Sequence, residues 1–117
     1  MKLIEVISVP VTDQQVSKAF YQKIGFQLIN ETAMGDGSTW IQLGLAGQTT
    51  SITLVNWFKN MQPGSMQGLV IKSEDIENEV AELKAKGVEV QPIDNTPWGR
   101  FASFSDPDGN GLTLRQE

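Results

Sequence analysis

Two stretches of this chain are punctuated alike. Asp13 and Gly25 stand 25 − 13 = 12 positions apart, and so do Asp75 and Gly87, where 87 − 75 = 12. Ala19 meets Ala81 at an offset of 62, and Ile52-Thr53-Leu54 meets Leu112-Thr113-Leu114 at an offset of 60. A repeat of about half the chain length restricts the fold to two similar units that bury their apolar faces together.

The order of elements repeats with it. Residues 2–11, KLIEVISVPV, alternate and are β-branched, as a strand requires. Thr12-Asp13-Gln14-Gln15 has the form of a capping box with Thr12 as N-cap. The helix after it sets Val16, Ala19, Phe20 and Ile24 on one face, and Gly25 stops it. Strands follow over 26–32, 38–45 and 49–57, separated by Met34-Gly35-Asp36-Gly37 and Ala46-Gly47-Gln48. Residues 58–66 contain Asn60, Pro63 and Gly64 without periodicity and read as a linker. The second half gives a strand over 67–72 and a helix capped by Ser73 with Ile76, Val80 and Leu83 inward. Strands over 88–92, 100–105 and 111–115 follow, with a loop over 93–99. The predicted fold is α+β: two βαβββ modules, 1–57 and 67–117, with eight strands and two main helices. Asp106-Pro107-Asp108-Gly109-Asn110, ahead of the last strand, reads as a structural turn built by Asx-type bonds, a fixed proline φ and glycine.

Composition removes several functions. The chain has 117 residues, enough for one domain with its own core, no cysteine and no histidine. Disulfides, thiolate metal sites and imidazole chemistry are therefore absent. A net charge of −5 argues against nucleic acid as a partner. No apolar run reaches the roughly 18–20 residues of a membrane span. The N-terminus lacks a signal-peptide cleavage site, so a cytoplasmic protein is expected.

Several segments together resemble a known family. "VPVTDQQVSKAFYQKIGFQLI" is similar to the opening module of the vicinal oxygen chelate superfamily, which includes glyoxalase I, extradiol dioxygenases and bleomycin resistance proteins. "SEDIENEVAELKAKGVEV" resembles its second helix, and "PWGRFASFSDPDGNGLTL" its closing signature. The resemblance implies the same two-module fold. It also implies a test, because enzymes of the superfamily hold a divalent metal with His, Glu or Gln from four strands. The corresponding positions here are Val6, Thr53, Gly68 and Thr113. None is a competent ligand for a catalytic divalent metal. No metal and no cofactor are expected.

The resemblance then points to the superfamily's metal-free binding proteins, which hold an antibiotic between aromatic rings in a homodimer. A small-molecule ligand, aromatic or cationic, is the expected partner. Trp40 and Gln42 share one strand face, and Thr53 shares another with Trp57. Trp98 and Arg100 belong near the groove mouth, and Thr113 to the last strand. These seven are the candidate ligand-binding residues. Arg100 also has a structural reading, as a partner of Asp94 or Asp106. The alternative functions are a lyase or dioxygenase with a non-standard metal or none, and an inert module acting through a partner protein.

Overall fold

The computed structural model describes all 117 residues. The first module comprises β1 (Val6–Pro10), α1 (Gln14–Lys23), β2 (Gln27–Ala33), β3 (Thr39–Gly44) and β4 (Ser51–Val55). The second comprises β5 (Leu69–Lys72), α2 (Ile76–Ala85), β6 (Asp94–Thr96), β7 (Gly99–Ser105) and β8 (Gly111–Gln116). Each module makes its own four-stranded sheet, ordered β1-β4-β3-β2 (sheet A) and β5-β8-β7-β6 (sheet B). The fold is the α+β pair of βαβββ units expected from the sequence. The repeat extends to register: β1 runs parallel to β4 with Ser8 opposite Thr53, and β5 runs parallel to β8 with Val70 opposite Thr113. Those pairs are related by the sequence offsets, 70 − 8 = 62 and 113 − 53 = 60.

Local chemistry explains where the elements differ from expectation. Asp13, not Thr12, caps α1, its carboxylate accepting from the amides of Gln15 and Val16. Asp75, not Ser73, caps α2 by accepting from Asn78, while Ser73 Oγ accepts from the Asp75 amide. A carboxylate at the positive end of a helix gains from the dipole as well as the hydrogen bond, and so outcompetes a hydroxyl one or two residues earlier. The buried side of α1 is Ser17 and Tyr21, with Phe20 and Ile24 half-buried; Val16 and Ala19 face water. The sixth strand lies at Asp94–Thr96 rather than at 88–92, where Val90 makes only a single bridge to Phe104. Pro92 has no amide hydrogen to extend that pairing. The strand resumes beyond it as a hairpin closed by Pro97-Trp98.

In each module one sheet face packs on the helix. Val9, Leu43, Ile52 and Leu54 do so in sheet A, and Ala102, Phe104, Leu112 and Leu114 in sheet B. With Tyr21, Phe26, Ile76, Val80 and Leu83 they belong to one core cluster of 17 buried residues. Fully burying each aliphatic side chain contributes about 1.5–3 kcal/mol. Strand alternation turns the other face of each sheet away from its helix.

No strand or helix of one module runs alongside one of the other. Besides their shared apolar cluster, the modules are tied by hydrogen bonds of the turn Asp106–Asn110. Asn110 Nδ2 donates to the Pro10 carbonyl (2.8 Å) and to Asp106 Oδ2 (2.8 Å), and its Oδ1 accepts from the Met66 amide (3.0 Å). Tyr21 donates its hydroxyl to Asp106 Oδ2 (2.9 Å), and Asp108 accepts from the Thr12 amide (3.1 Å). Asp106 Oδ1 accepts from the amides of Asp108 and Asn110. The linker closes on the same turn: a Cβ on Gly64, at φ +82°, would stand 2.0 Å from the Asp108 carbonyl oxygen. The closing turn is thus the clamp between the two halves.

Tyr21 gives this clamp a spectroscopic marker. Burial, and then the Asp106 carboxylate, push the phenol far above its usual pKa. The native state therefore keeps the proton beyond the pH, roughly 10, at which an unfolded tyrosine loses it. This group's contribution to stability is complete below that pH and is lost as pH rises toward the folded value. Tyr21 is the only tyrosine. Tyrosinate absorbance should therefore appear only together with loss of circular dichroism. A tyrosinate forming near pH 10 in a folded protein would contradict the buried hydrogen bond.

Candidate functional site

The four positions at which a metal would be held lie on the helix-free faces. Val6, Ser8 and Thr53 share that face of sheet A, by register and alternation, with Trp40, Gln42 and Ser51. Gly68, Val70, Ser103 and Thr113 share that of sheet B with Gly111. None of Val6, Thr53, Gly68 and Thr113 offers a carboxylate or imidazole, and no three His, Cys, Asp or Glu side chains converge anywhere in the protein. The donor set does not fit a catalytic divalent ion.

What these faces offer is space and neutral hydrogen-bonding groups. Sheet B walls a cavity of about 520 Å³ whose lining includes Gln67, Gly68, Ser103, Ser105, Gly111 and Thr113. Its size is within the range of small-molecule sites. Lys23 and Glu89 stand in the same lining, one charge of each sign. Gly111 leaves room for the Gln67 side chain, whose amide lies where a Cβ would stand. Ser103 and Thr113 pair their hydroxyls at 3.1 Å. On sheet A, Trp40 Nε1 donates to Gln42 Oε1 (3.1 Å), Gln42 Nε2 donates to Ser51 Oγ (2.7 Å), and Ser51 Oγ reaches the Glu5 carbonyl (3.3 Å). Ser8 and Thr53 pair at 3.4 Å. Two other cavities, of about 370 and 340 Å³, touch none of the seven candidate residues.

The candidates therefore fall into two groups. Trp40, Gln42 and Thr53 are together on sheet A, with Trp57 just beyond β4, its ring tilted against Phe58 at 5.9 Å. Thr113 is on sheet B, and Trp98 is at the tip of the β6–β7 hairpin, 75% exposed. The tip is braced: Thr96 Oγ1 accepts from the Trp98 amide (3.1 Å), and Arg115 donates to the Trp98 carbonyl (2.7 Å). No hydrogen bond, ring contact or cavity of this chain joins the two groups. Arg100 stands apart from both. It donates to Glu77 on α2 (2.7 Å) and to Asn95 (3.0 Å), not to Asp94 or Asp106. Alternation puts it on the helix side, with Ala102 and Phe104. Sequence reasoning missed Ser8, Ser103 and Gly111. Their signal was small residues at alternate positions beside the candidate threonines.

Known proteins share this arrangement. The family model of the Glyoxalase/Bleomycin resistance protein/Dioxygenase superfamily matches residues 3–114. The chain belongs to that superfamily. Among solved structures, it is similar to TnmS3, an antibiotic binding protein from Streptomyces sp. CB03234. They share 43% identity and a TM-score of 0.94 over 99% of this chain and 96% of that one. A glyoxalase/bleomycin resistance protein from the same organism is 45% identical, with a TM-score of 0.85 over 95% of this chain and 97% of the other. The Bacillus subtilis protein YetH is 35% identical over 99% of both chains. As a member of the superfamily, the chain has its two-module fold. No helix is long and apolar enough to cross a membrane.

Proposed function

We propose that this protein binds a small aromatic molecule without a metal and sequesters it, as an antibiotic-binding protein does. The observation that carries the reading is the chemistry of the two helix-free faces. Where a metal enzyme needs ligands, Val6, Thr53, Gly68 and Thr113 leave a floor of small neutral groups, walled on sheet B by about 520 Å³ of space. Trp40 supplies a ring for stacking. The similarity to TnmS3, an antibiotic binding protein, supports the same conclusion. The protein works in the cytoplasm and can confer resistance by lowering the free concentration of its ligand.

In this reading the working unit is a homodimer. β1 and β5 are edge strands, each paired on one side only. Free edges favour association. A second chain would bring its sheet B over this chain's sheet A, uniting Trp40, Gln42 and Thr53 with the partner's Thr113 and Trp98. Light scattering should give a mass twice the 12.9 kDa of one chain.

The test is a titration of tryptophan fluorescence with a panel of planar aromatic antibiotics. Saturable quenching at one site per chain is expected, with no turnover of the bound compound. Turnover, or a flat response to every compound, would reject the proposal.

A further inference from the structure

Asn110 carries a chemical liability that the clamp hides. It is one of six asparagines and the only one followed by glycine. An asparagine in that setting is open to attack by its own backbone. The amide nitrogen of the next residue bonds the side-chain carbonyl carbon, and glycine has no Cβ to crowd the approach. A five-membered succinimide forms as the bond from Cγ to Nδ2 breaks. The glycine amide proton, passed through solvent, completes the ammonia that leaves. Water then opens the ring. The product is either aspartate or isoaspartate, in which the main chain runs through the former side chain.

In the folded chain each group of that reaction is already engaged. The Gly111 amide, the nucleophile, donates its hydrogen to the Met66 carbonyl at 2.8 Å. The Asn110 Oδ1 atom accepts from the Met66 amide at 3.0 Å, so one linker residue holds both reacting groups. The departing nitrogen, Nδ2, is tied at 2.8 Å to the Pro10 carbonyl and at 2.8 Å to Asp106 Oδ2. The Asn110 backbone carbonyl accepts from the Asp106 amide at 3.0 Å, which fixes the peptide plane next to Gly111. The side chain is 1% exposed, so the water that would take up the proton and open the ring is shut out as well. Ring closure needs the Gly111 nitrogen to give up its proton and Cγ to come within bonding distance. Neither happens while these bonds hold, so the reaction waits for the clamp to open.

The products cannot rebuild what was opened. An aspartate side chain has no N–H to give. Its carboxylate would meet the Pro10 carbonyl and the Asp106 carboxylate with no hydrogen between them, in a site closed to water. Burying such unpaired acceptors is costly, and two adjacent carboxylates resist ionising together. Isoaspartate adds a methylene to the main chain inside a turn whose length is set by the bonds from Asp106 to the amides of Asp108 and Asn110. We propose that Asn110 is a deamidation site guarded by the fold. Opening of the clamp exposes it to succinimide formation, and a chain modified there does not return to the native state. The lifetime of the folded protein is then set by how often the clamp opens.

The test holds the full chain in mildly alkaline buffer at urea concentrations that span its unfolding transition. Peptide mass mapping scores each asparagine for the gain of one mass unit and for the isoaspartate form. Asn110 should react at least about tenfold faster in the unfolded chain than in the native one, with a rate that follows the unfolded fraction. The other five asparagines should lag behind it in urea, because none precedes a glycine. Modified and unmodified chains, separated by ion exchange, are then returned to native buffer. Circular dichroism should recover for the unmodified chains only. A sample unfolded for the same time in mildly acidic buffer, where the glycine amide keeps its proton, controls for exposure to urea and should refold. A ratio of rates below tenfold would overturn the proposal, since the fold would then not be the guard. So would modified chains that regain the full native signal, or an Asn110 that stays intact in urea.

Discussion

Replacing Asn110 with alanine should destabilise the protein by about 3–5 kcal/mol, most of the margin of a domain this size. The side chain is 1% exposed and is shared by three partners from different parts of the chain. Alanine leaves the Met66 amide without an acceptor, takes one donor from the Pro10 carbonyl and one from Asp106, and opens a void. Each buried polar group stranded in this way costs about 1–3 kcal/mol. Urea unfolding measures the effect directly, and Gln67→Ala is the control. Gln67 also bonds the turn, at 3.3 Å to the Gly109 carbonyl, but from an exposed position, so its loss should cost less than about 1 kcal/mol. Equal losses in the two variants would show that the turn is not the clamp described above.

The second large effect should be on binding. Trp40→Ala should weaken the ligand by at least 2 kcal/mol, roughly thirtyfold. Two consequences combine in this variant. The stacking surface goes, and Gln42 Oε1 loses the indole hydrogen that fixes its orientation. The amide stays tied to Ser51 through Nε2, so the lost ring accounts for most of the effect. Trp98→Ala should show a smaller loss, because its ring is mostly exposed before the ligand arrives. Loss in both variants would indicate contact with both tryptophans, which in one chain line no common cavity. Loss in neither would remove the tryptophans from the site.

Much of this architecture was legible in the sequence because it is repeated. Asp13 and Asp75 start the helices, and Gly25 and Gly87 end them at φ +118° and +85°. The repeat also gave the register, since Thr53 and Thr113 stand opposite residues 62 apart. What was not legible depends on contacts distant in sequence. Tyr21 lies outside the predicted apolar face of α1, yet it is more deeply buried than Phe20, and its hydroxyl is satisfied there by Asp106, 85 positions away. The true inner stripe of α1 includes Ser17, which an apolar pattern passes over. Arg100 is close in sequence to Trp98, which suggests the groove mouth, but the alternation set by buried Ala102 and Phe104 turns it toward Glu77. At the four aligned positions the residue types alone, Val, Gly and Thr, show that the chain offers no carboxylate or imidazole there.

The central claim is that small neutral side chains on these faces bind an aromatic molecule without help from a metal. Calorimetric titration of the tightest-binding planar aromatic antibiotic of the fluorescence panel into the protein, before and after exhaustive chelation, tests it most directly. The same affinity and stoichiometry in both states is the expected result. Binding that disappears with the chelator and returns when a divalent ion is added would contradict it.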